Sequence, residues 1–383
     1  MPNGFGLAFA EGLTVFVPLA AAGDRLRVKI NQKKGKTAFA EIVEIIEPSK
    51  DRTVPRCPYF GTCGGCNFQQ LEYEAQLKTK VGIIKDCLSR IGKINYEREI
   101  IVVGSPQSYE YRSRAQWHVD VRGRKIGYFR GGSHDILDVE VCPILTPEMQ
   151  SLLTELRETI EWETFAGRIV EIEAASGGDG KEVSVYSAEI IEPTDEISFE
   201  ANGNRYFYDA NTFFQGNQFL IEPLIEAAIG GAEGATAIDL YSGVGLFTLP
   251  LSKKFTKVLG VEGYKKAVEF AAKNVENAQI ENVGLFCEPV GEWLSENLAE
   301  LGAVDFVVLD PPRSGTERET IENLLRLKPK AISYVSCDPA ILARDLRLLT
   351  ESVYKIESIT AIDLFPQTHH IETVVRLQAL RTV

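Results

Sequence analysis

Three cysteines lie close together in the segment RCPYFGTCGGCNFQQL, and they are the first residues whose spacing indicates chemistry. Cys57, Cys63 and Cys66 have the spacing C-x5-C-x2-C, and Cys142 follows far downstream beside a proline. Four thiolates can bind either zinc or an iron-sulfur cluster. Zinc sites usually pair two C-x2-C segments, whereas three ligands in one loop with a remote fourth are common for a four-iron cluster. The spacing therefore favours a [4Fe-4S] cluster over zinc, with all four positions filled by protein and no iron left free.

A second group of residues lies in TAIDLYSGVGLFTLPLS, which is an apolar strand followed by a glycine loop and a helical pattern. Small residues such as Gly243 and Gly245 let a nucleotide-like ligand approach the backbone at a helix start. The next strand ends at Glu262, a suitable interval for a carboxylate that accepts both hydroxyls of a ribose. Thr248 stands where a third glycine would complete G-x-G-x-x-G. Adenosylmethionine is thus favoured over a pyrophosphate cofactor, and a methyltransferase over a dehydrogenase.

The motif VVLDPPRSG places Asp310 at another strand end, before two prolines that fix the backbone. Methyltransferases that act on exocyclic amines use a related motif, Asp/Asn-Pro-Pro, followed by an aromatic residue that stacks on the base. Arg313 occupies that place here. Methylation of an exocyclic amine is therefore the alternative, and the acceptor stays open at this point.

The candidate nucleophile is Cys337 in AISYVSCDPAILARDL, where a buried strand runs into a helix that begins at Asp338 and Pro339. A thiol at a helix N-terminus has its thiolate favoured by the helix dipole. We therefore predict that the pKa of Cys337 is lowered.

A thiolate would suit methylation of a pyrimidine, because carbon 5 of that ring is too poor a nucleophile to take a methyl group directly. Addition of sulfur to carbon 6 makes carbon 5 enolate-like, and a base must later remove the proton at carbon 5. Glu372, in HHIETVV at the final strand, is the candidate base, and its alternative interpretation is a solvated carboxylate. His369 and His370 are nearby alternatives.

The elements that must position these residues differ along the chain. Short β-rich runs from Gly12 to Pro48 suggest a small curled sheet or barrel, and a helix is predicted in YEAQLKTKVGIIKDCLSRIG after the cysteine segment. The region from about Ile100 to Tyr208 is mostly β, with a helix predicted in PEMQSLLTELRETI and a hairpin loop in SGGDGK. After about Phe219 helices and apolar strands alternate, which predicts a largely parallel sheet that binds ligands beyond its strand ends. Cys87 and Cys287 are interpreted as small core residues.

Composition limits the classes of protein. A chain of 383 residues predicts two or three domains, and seven cysteines do not indicate a secreted disulfide framework. The start lacks a basic leader and no run approaches a membrane span, so a cytoplasmic protein without membrane contact is expected. The net charge of -13 argues against indiscriminate polyanion binding. RLRVKINQKKGK and YRSRAQWHVDVRGRK are nevertheless locally basic, either as nucleic-acid contacts or as solvated strand faces.

Five motifs in order, FFQGNQF, DLYSGVGLF, LDPPRSG, SCDP and HHIETV, resemble the RNA 5-methyluridine methyltransferase family. The cysteine pattern and the β-rich start are similar to its iron-sulfur, TRAM-domain branch, which methylates uridines of large-subunit rRNA or of tRNA. The resemblance implies a multidomain α/β protein with a TRAM/OB-like β domain over 1–50, a central cluster domain over 51–208 and a Rossmann-like catalytic domain over 209–383.

The resemblance also implies roles for residues of this chain. Cys337 would be the nucleophile and Glu372 the base, while Asp310 would lie between cofactor and uracil. The expected adenosylmethionine contacts are made by Gln215, Tyr241, Gly243, Glu262 and Asp310. The sequence departs from the family pattern at Leu246, which stands where many relatives have an asparagine. The resemblance also implies that a TRAM domain starting at NGFGLAF would lack its first strand, so an incomplete barrel is expected.

The expected partner is structured RNA, rRNA or tRNA, and no obligatory protein partner is evident. A target uridine must leave the base stack to expose carbon 6, and Phe213 and Phe214 are either a stacking surface for it or core residues. The predicted phosphate contacts are Arg112, Arg114, Lys125 and Arg130. The alternatives are an exocyclic-amine RNA methyltransferase and a non-catalytic iron-sulfur RNA-binding sensor.

Overall fold

The structure is a computed structural model that describes residues 4–189, 194–351 and 353–380. It begins with a small four-stranded sheet in the order β1-β2-β4-β3, in which β2 and β4 are parallel and the other pairs antiparallel. These strands are β1 (Gly6–Ala10), β2 (Leu13–Val17), β3 (Arg25–Lys34) and β4 (Thr37–Glu47). Val15, Val17, Ala38 and Ala40 form its core. The predicted β-rich start is confirmed, and the sheet is open between its edge strands.

The cysteine segment follows this sheet and leads into α1 (Tyr73–Arg90) and β5 (Ile101–Val103). The predicted helix is confirmed, and Cys87 on it is buried as expected. Both elements contact the large C-terminal sheet, although the sequence places them within the central domain: β5 pairs in parallel with its edge strand and α1 packs in its core.

The middle of the chain forms an antiparallel five-stranded sheet in the order β10-β9-β6-β7-β8. Its elements are β6 (Arg114–Asp120), β7 (Lys125–Phe129), β8 (Ile136–Asp138), α2 (Pro147–Thr159), β9 (Ile169–Ser176) and β10 (Val183–Tyr186). The helix is capped by the Thr146 hydroxyl, which accepts the Met149 N–H at 3.4 Å, and it covers the core around Trp117. The predicted helix and the hairpin at SGGDGK are confirmed. A separate hairpin follows, β11 (Ile197–Ala201) and β12 (Asn204–Tyr208).

The remaining chain and β5 together form an eight-stranded sheet in the order β15-β14-β13-β16-β17-β19-β18-β5. The other seven strands are β13 (Gly234–Leu240), β14 (Phe255–Glu262), β15 (Val283–Cys287), β16 (Phe306–Leu309), β17 (Ala331–Ser336), β18 (Tyr354–Ile362) and β19 (Glu372–Ala379). Only β19 among them runs antiparallel to its neighbours. Apolar runs such as FVVL in β16 are buried on both faces, as parallel strands require.

Helices cover both faces of this sheet. They are α3 (Ile221–Ile229), α4 (Thr248–Ser252), α5 (Lys265–Asn277), α6 (Val290–Asn297), α7 (Arg318–Leu327) and α8 (Pro339–Thr350). One core is formed with α1, α6, α7 and α8 and the other with α3, α4, α5 and the β11–β12 hairpin. This is the predicted doubly covered, Rossmann-like arrangement. Cys287 is exposed at the end of β15, so its predicted burial is wrong. Within the described ranges no helix has the length and apolarity needed to cross a bilayer.

Candidate active site

The parallel strands bring the predicted site residues to one edge of the sheet. Tyr241 directly follows β13, Glu262 ends β14, Asp310 directly follows β16 and Cys337 directly follows β17. Parallel neighbours share an edge at their carboxyl ends, where ligands bind in such sheets. All four residues line one cavity of about 660 Å³.

The antiparallel strand β19 adds its first residue, Glu372, to the same edge. In the register of β17 and β19, Ser336 pairs with Thr373, so Cys337 and Glu372 are the next residues facing each other. Glu372 lines the cavity and is only 3% exposed, which rules out the solvated carboxylate considered from the sequence. The fold thus places the predicted nucleophile beside the predicted base.

Burial raises the pKa values of Glu372 and Asp310, two of the acidic residues that line the cavity. It raises the pKa of Glu372 well above its ordinary value; the neighbouring Asp310 charge adds to this and Arg313 opposes it. The pKa of Asp310 is raised by the same desolvation. Among the described residues, Glu372 Oε1 has no hydrogen-bond partner. A buried carboxyl oxygen of this kind is available to a ligand or to a transferred proton.

The predicted low pKa of Cys337 is wrong for the ligand-free protein. The pKa of this thiol is raised to about 12, chiefly by burial and then by the negative charge of Glu372, with Arg313 acting in the opposite direction and Asp310 adding to the rise. The helix does begin at Pro339 as predicted, but the Asp338 side chain accepts its first free N–H groups, at 2.8 and 3.1 Å. A carboxylate cap neutralises the helix end, so the thiol gains little from the dipole.

The loop after β13 has the backbone expected of a ligand-binding turn. Tyr241 and Gly243 both adopt left-handed φ angles, 63° and 54°, and a Cβ on Gly243 would meet open space. Glu262 accepts the N–H of Gly243 at 3.0 Å and that of Tyr264 at 2.8 Å. These bonds fix the orientation of the Glu262 carboxylate and leave its remaining lone pairs for hydroxyl groups.

Gln215 and Leu246 have different surroundings. Gln215 is buried and its side chain lines the cavity, which agrees with a polar ligand contact. Leu246 packs in the core next to α3 and α4, and its carbonyl accepts the Tyr206 hydroxyl at 3.2 Å. The residue that replaces asparagine therefore serves the core.

Of the predicted phosphate contacts, two line the cavity and two lie on the surface. Arg112 and Arg114 line the cavity, with hydrogen bonds from Arg112 Nε to the Arg114 carbonyl at 2.9 Å and from Arg114 Nη2 to Ala210 at 2.9 Å. Lys125 and Arg130 are exposed. The basic run on β3 is largely neutralised by glutamates of β4, in the pairs Arg25–Glu47, Arg27–Glu44 and Lys29–Glu41.

The two adjacent phenylalanines have opposite environments. Phe213 is 69% exposed and lines the cavity, whereas Phe214 is 2% exposed and stacks on Tyr208 with ring centroids 4.3 Å apart. Phe213 is thus free to stack on a base and Phe214 is a core residue. Both sequence interpretations hold, one for each ring.

Two charged residues of the cavity, Arg313 and Glu173, have no role predicted from the sequence. Arg313 follows the two prolines directly, so its position at the strand end was the available signal. Glu173 lies on β9, and burial raises its pKa. Its strand shows ordinary alternation, which gives no sign of a cavity residue. Neither imidazole of His369 and His370 belongs to the described lining, and burial lowers their pKa values to about 4 and about 3.

The four predicted metal ligands converge from two segments. The cysteine loop docks on the end of β7, where the N–H of Gly64 donates to the Phe129 carbonyl at 2.9 Å and a Cβ on Gly64 would lie 3.2 Å from that oxygen. Cys63 and Cys142 pack against the same core. Cys142 lies in the loop between β8 and α2.

Burial raises the pKa values of these thiols, to about 12 for Cys66 and about 11 for Cys142, and the four sulfur atoms influence one another's charge. All seven cysteines of the chain are free thiols. In the part of the chain that the structure describes, no three Cys, His, Asp or Glu side chains are grouped tightly enough to hold a single metal ion.

Comparison with known proteins agrees with this geometry. Residues 189–380 match the family described as tRNA (Uracil-5-)-methyltransferase. The 23S rRNA (uracil(1939)-C(5))-methyltransferase RlmD of Shewanella sediminis is 30% identical over 97% of this chain and 92% of its own length. RlmD of Pectobacterium atrosepticum is 27% identical, over 97% of this chain and 90% of its own.

A solved structure is also similar over nearly the whole chain. It is the crystal structure of Pyrococcus abyssi tRNA (uracil-54, C5)-methyltransferase in complex with S-adenosyl-L-homocysteine, with a TM-score of 0.76 and 26% identity, covering 98% of both chains. These similarities decide against the two alternatives left by the sequence, the exocyclic-amine methyltransferase and the non-catalytic sensor.

Proposed function

Since the chain belongs to the RNA uracil-5-methyltransferase family and transfers a methyl group from adenosylmethionine to carbon 5 of uridine, we propose that Cys337, Glu372 and Asp310 carry out this reaction. The assignment is supported by one cavity that is lined by all three residues. Cys337 directly follows β17, and Glu372 begins the neighbouring strand β19.

The proposed mechanism begins with the Cys337 sulfur. Its thiolate bonds to carbon 6 of the uracil, and the electrons of the 5,6 double bond move to carbon 5 and the adjoining carbonyl. The bound cofactor supplies the methyl group that carbon 5 then takes. Glu372 removes the proton from carbon 5, the double bond forms again, and the sulfur of Cys337 leaves as the thiolate.

The charges in the cavity assign the remaining roles. Arg313 is the cation that lowers the pKa values of both Cys337 and Glu372 and so favours the thiolate. Asp310, at the end of β16, places a carboxyl between the nucleophile and the cofactor loop. Gln215, Tyr241, Gly243 and Glu262 line the part of the cavity that would hold the cofactor, with Glu262 accepting the ribose hydroxyls.

The proposed substrate is a uridine in folded RNA, swung out of its stack into the cavity. Exposed Phe213 supplies a stacking surface, and Arg112 and Arg114 supply positive charge inside the same cavity. The relatives act on 23S rRNA and on tRNA, according to their names. We propose large-subunit rRNA first, because the relative with 30% identity is an rRNA enzyme.

We also propose that Cys57, Cys63, Cys66 and Cys142 hold a [4Fe-4S] cluster. These four free thiols lie near enough to influence one another's charge. Burial raises their pKa values, so a bound cationic group is needed to keep them as the thiolates that ligate a metal. A zinc ion binds sulfur at about 2.3 Å, so its ligands must be grouped tightly, whereas a four-iron cluster separates them more widely. With four protein ligands the cluster would be structural, joining the cysteine loop to the β8–α2 loop.

The domain division 1–50, 51–208 and 209–383 is proposed on the same basis. The small sheet ends at Glu47 and β12 ends at Tyr208, which supports both boundaries, and the open four-stranded sheet suits a TRAM/OB-like unit. In this division α1 and β5 reach across to the third domain.

The test is covalent trapping on RNA that carries 5-fluorouridine, in which fluorine replaces the proton that the base must remove. With adenosylmethionine, we expect a stable protein–RNA crosslink through Cys337, detectable by denaturing gel and peptide mass spectrometry. Cys337→Ala should give no crosslink yet still bind the cofactor. Active protein that never crosslinks would contradict the mechanism. Mapping of 5-methyluridine in total RNA of a deletion strain then decides between rRNA and tRNA.

A further inference from the structure

The loop between β18 and β19, residues 363–371, determines where the proposed base lies. It carries Leu364 and Phe365, which line the cavity, and it ends at Glu372. The contacts that hold this loop therefore fix the backbone directly before the Glu372 carboxyl group.

The first part of the loop is held by α1. Lys80 on that helix is fully buried, and its ammonium group donates to Asp363 Oδ1 at 2.5 Å and to the Phe365 carbonyl at 3.0 Å. The Tyr111 hydroxyl donates to the Pro366 carbonyl at 2.9 Å. Three anchors thus fix the loop where it leaves β18.

The middle of the loop is held by a buried pair of glutamines. Gln367 has a left-handed φ of 69°, and its N–H donates to Gln76 Oε1 at 2.9 Å. In return, Gln76 Nε2 donates to Gln367 Oε1 at 3.0 Å. Gln367 Nε2 also donates to the Ser108 carbonyl at 3.2 Å. A strained backbone that persists in this way is over-determined by its partners.

The last part of the loop is held by the cysteine segment itself. The backbone N–H groups of Asn67 and Phe68 both donate to the Gln367 carbonyl, at 3.1 and 2.9 Å. The Asn67 side chain accepts the His369 N–H at 2.8 Å and donates from Nδ2 to His369 Nδ1 at 2.7 Å. Asn67 directly follows Cys66 in the sequence. A residue next to a proposed metal ligand thus contacts the chain three positions before Glu372.

We propose that Asn67 is a positioning residue for the base, because its bonds to His369 fix the end of the 363–371 loop. The position of Glu372 therefore depends on the conformation of the cysteine segment. This inference rests on the proposed function, in which Glu372 removes the proton. A displacement of about 1 Å in a catalytic geometry can cost on the order of 10²-fold in rate. The removal of the proton should therefore depend on Asn67 far more than the addition of Cys337 does.

The experiment uses the full-length protein, prepared without oxygen, and compares its reaction with two RNAs, one that carries uridine and one that carries 5-fluorouridine at the target position. With ordinary uridine, Asn67→Ala should release methylated product about 10- to 100-fold more slowly and accumulate the covalent protein–RNA intermediate. With 5-fluorouridine, where no base is needed, it should crosslink within about twofold of the unaltered rate. The iron content per chain should be unchanged, which shows that the cysteine site remains loaded. Glu372→Gln is the reference that defines full accumulation.

Asn282→Ala is the matched control. Asn282 is another half-buried asparagine whose Nδ2 donates to two backbone carbonyls, those of Ser252 at 2.9 Å and Phe255 at 2.8 Å, and it lies outside the cavity lining. Its loss should cost similar stability without any accumulation of the intermediate. Asn67→Asp, which keeps the acceptor for the His369 N–H and loses the donor, is a milder variant should the alanine variant misfold, and it should accumulate the intermediate to a smaller extent.

Two outcomes separate the inference from the function on which it rests. Accumulation by Glu372→Gln without accumulation by either Asn67 variant would overturn the positioning role alone. Absence of accumulation in Glu372→Gln as well would overturn the assignment of the base. A parallel loss of 5-fluorouridine crosslinking and of turnover in both Asn67 variants would show a general structural role, and would also reject the inference.

Discussion

Adenosylmethionine should bind more tightly as the pH rises from 6 to 8, because its positive charge must meet ionised carboxyl groups. Asp239, one residue before the end of β13, is fully buried behind the cavity lining and lies near enough to Asp310 and Glu262 for their charges to act on it. Burial raises the pKa of Asp239 to about 7; a hydrogen bond from Thr248 opposes this shift, and the charges of Asp310 and Glu262 add to it. Burial raises the pKa of Asp310 as well. A cation bound at this edge favours the charged form of each group, so binding should release protons.

The magnitude follows from the titration of one group. A carboxyl with a pKa of about 7 is ionised in roughly one-tenth of molecules at pH 6 and in roughly nine-tenths at pH 8. If the complex requires the ionised form, the dissociation constant falls about tenfold over this window, or about 1.4 kcal/mol. The direction is fixed by the sign of the shift: a raised pKa keeps the proton on the free protein, so acid weakens binding.

Isothermal titration calorimetry at pH 6, 7 and 8, in buffers with different heats of ionisation, measures both the affinity and the protons released. S-adenosylhomocysteine is the control, because it shares the adenosine and amino acid groups and lacks the sulfonium charge. Its affinity should change less with pH, and Asp239→Asn, which removes the titrating carboxyl, should flatten the adenosylmethionine curve. Equal pH dependence for the two ligands, or tighter binding of adenosylmethionine in acid, would refute the reasoning.

Three further predictions concern single side chains. Lys80→Ala leaves Asp363 buried without its partner and should lower the free energy of unfolding by about 3–5 kcal/mol, whereas Lys80→Met with Asp363→Leu should lower it much less, as measured by urea denaturation. Gly243→Ala strains a left-handed position by about 1–2 kcal/mol and projects a methyl group into open space, so calorimetry should show at least tenfold weaker cofactor binding. Phe213→Ala removes an exposed ring worth about 1–3 kcal/mol of stacking, so the KM for RNA should rise while cofactor affinity stays unchanged.

The sequence predicted the architecture of the C-terminal sheet because its signal is local. Apolar strands such as FVVL alternate with helices, and that alternation is enough to imply a parallel sheet with helices on both faces. The place of β5 was not predictable in the same way. Three residues, Ile101–Val103, carry no periodicity, and their partner in β18 lies far away in sequence. Pairing of that kind is decided by tertiary packing, as is the docking of α1.

The site residues likewise fall into those that local sequence patterns predict and those whose properties depend on distant segments. The strand-end rule brought Tyr241, Glu262, Asp310 and Cys337 together from sequence alone, since each directly follows or ends an apolar run. The pKa of Cys337 was predicted with the wrong sign, because burial and the charges of Glu372 and Asp310 come from other segments. The role inferred for Asn67 depends on contacts with His369 at a sequence separation of 302, which no local pattern indicates.

The charges of the cavity also imply an order of events in the proposed mechanism. Burial favours the uncharged forms of both Cys337 and Glu372; the charges of Glu372 and Asp310 add to the shift of Cys337, and the charge of Asp310 adds to that of Glu372. Arg313 favours ionisation of both groups, and a sulfonium held by the cofactor residues would add to this effect. Loss of that charge on methyl transfer would raise the pKa of Glu372 again, at the step in which Glu372 must accept the proton from carbon 5. The buried pair therefore responds to the progress of the reaction, and a solvated pair, screened by water, would not.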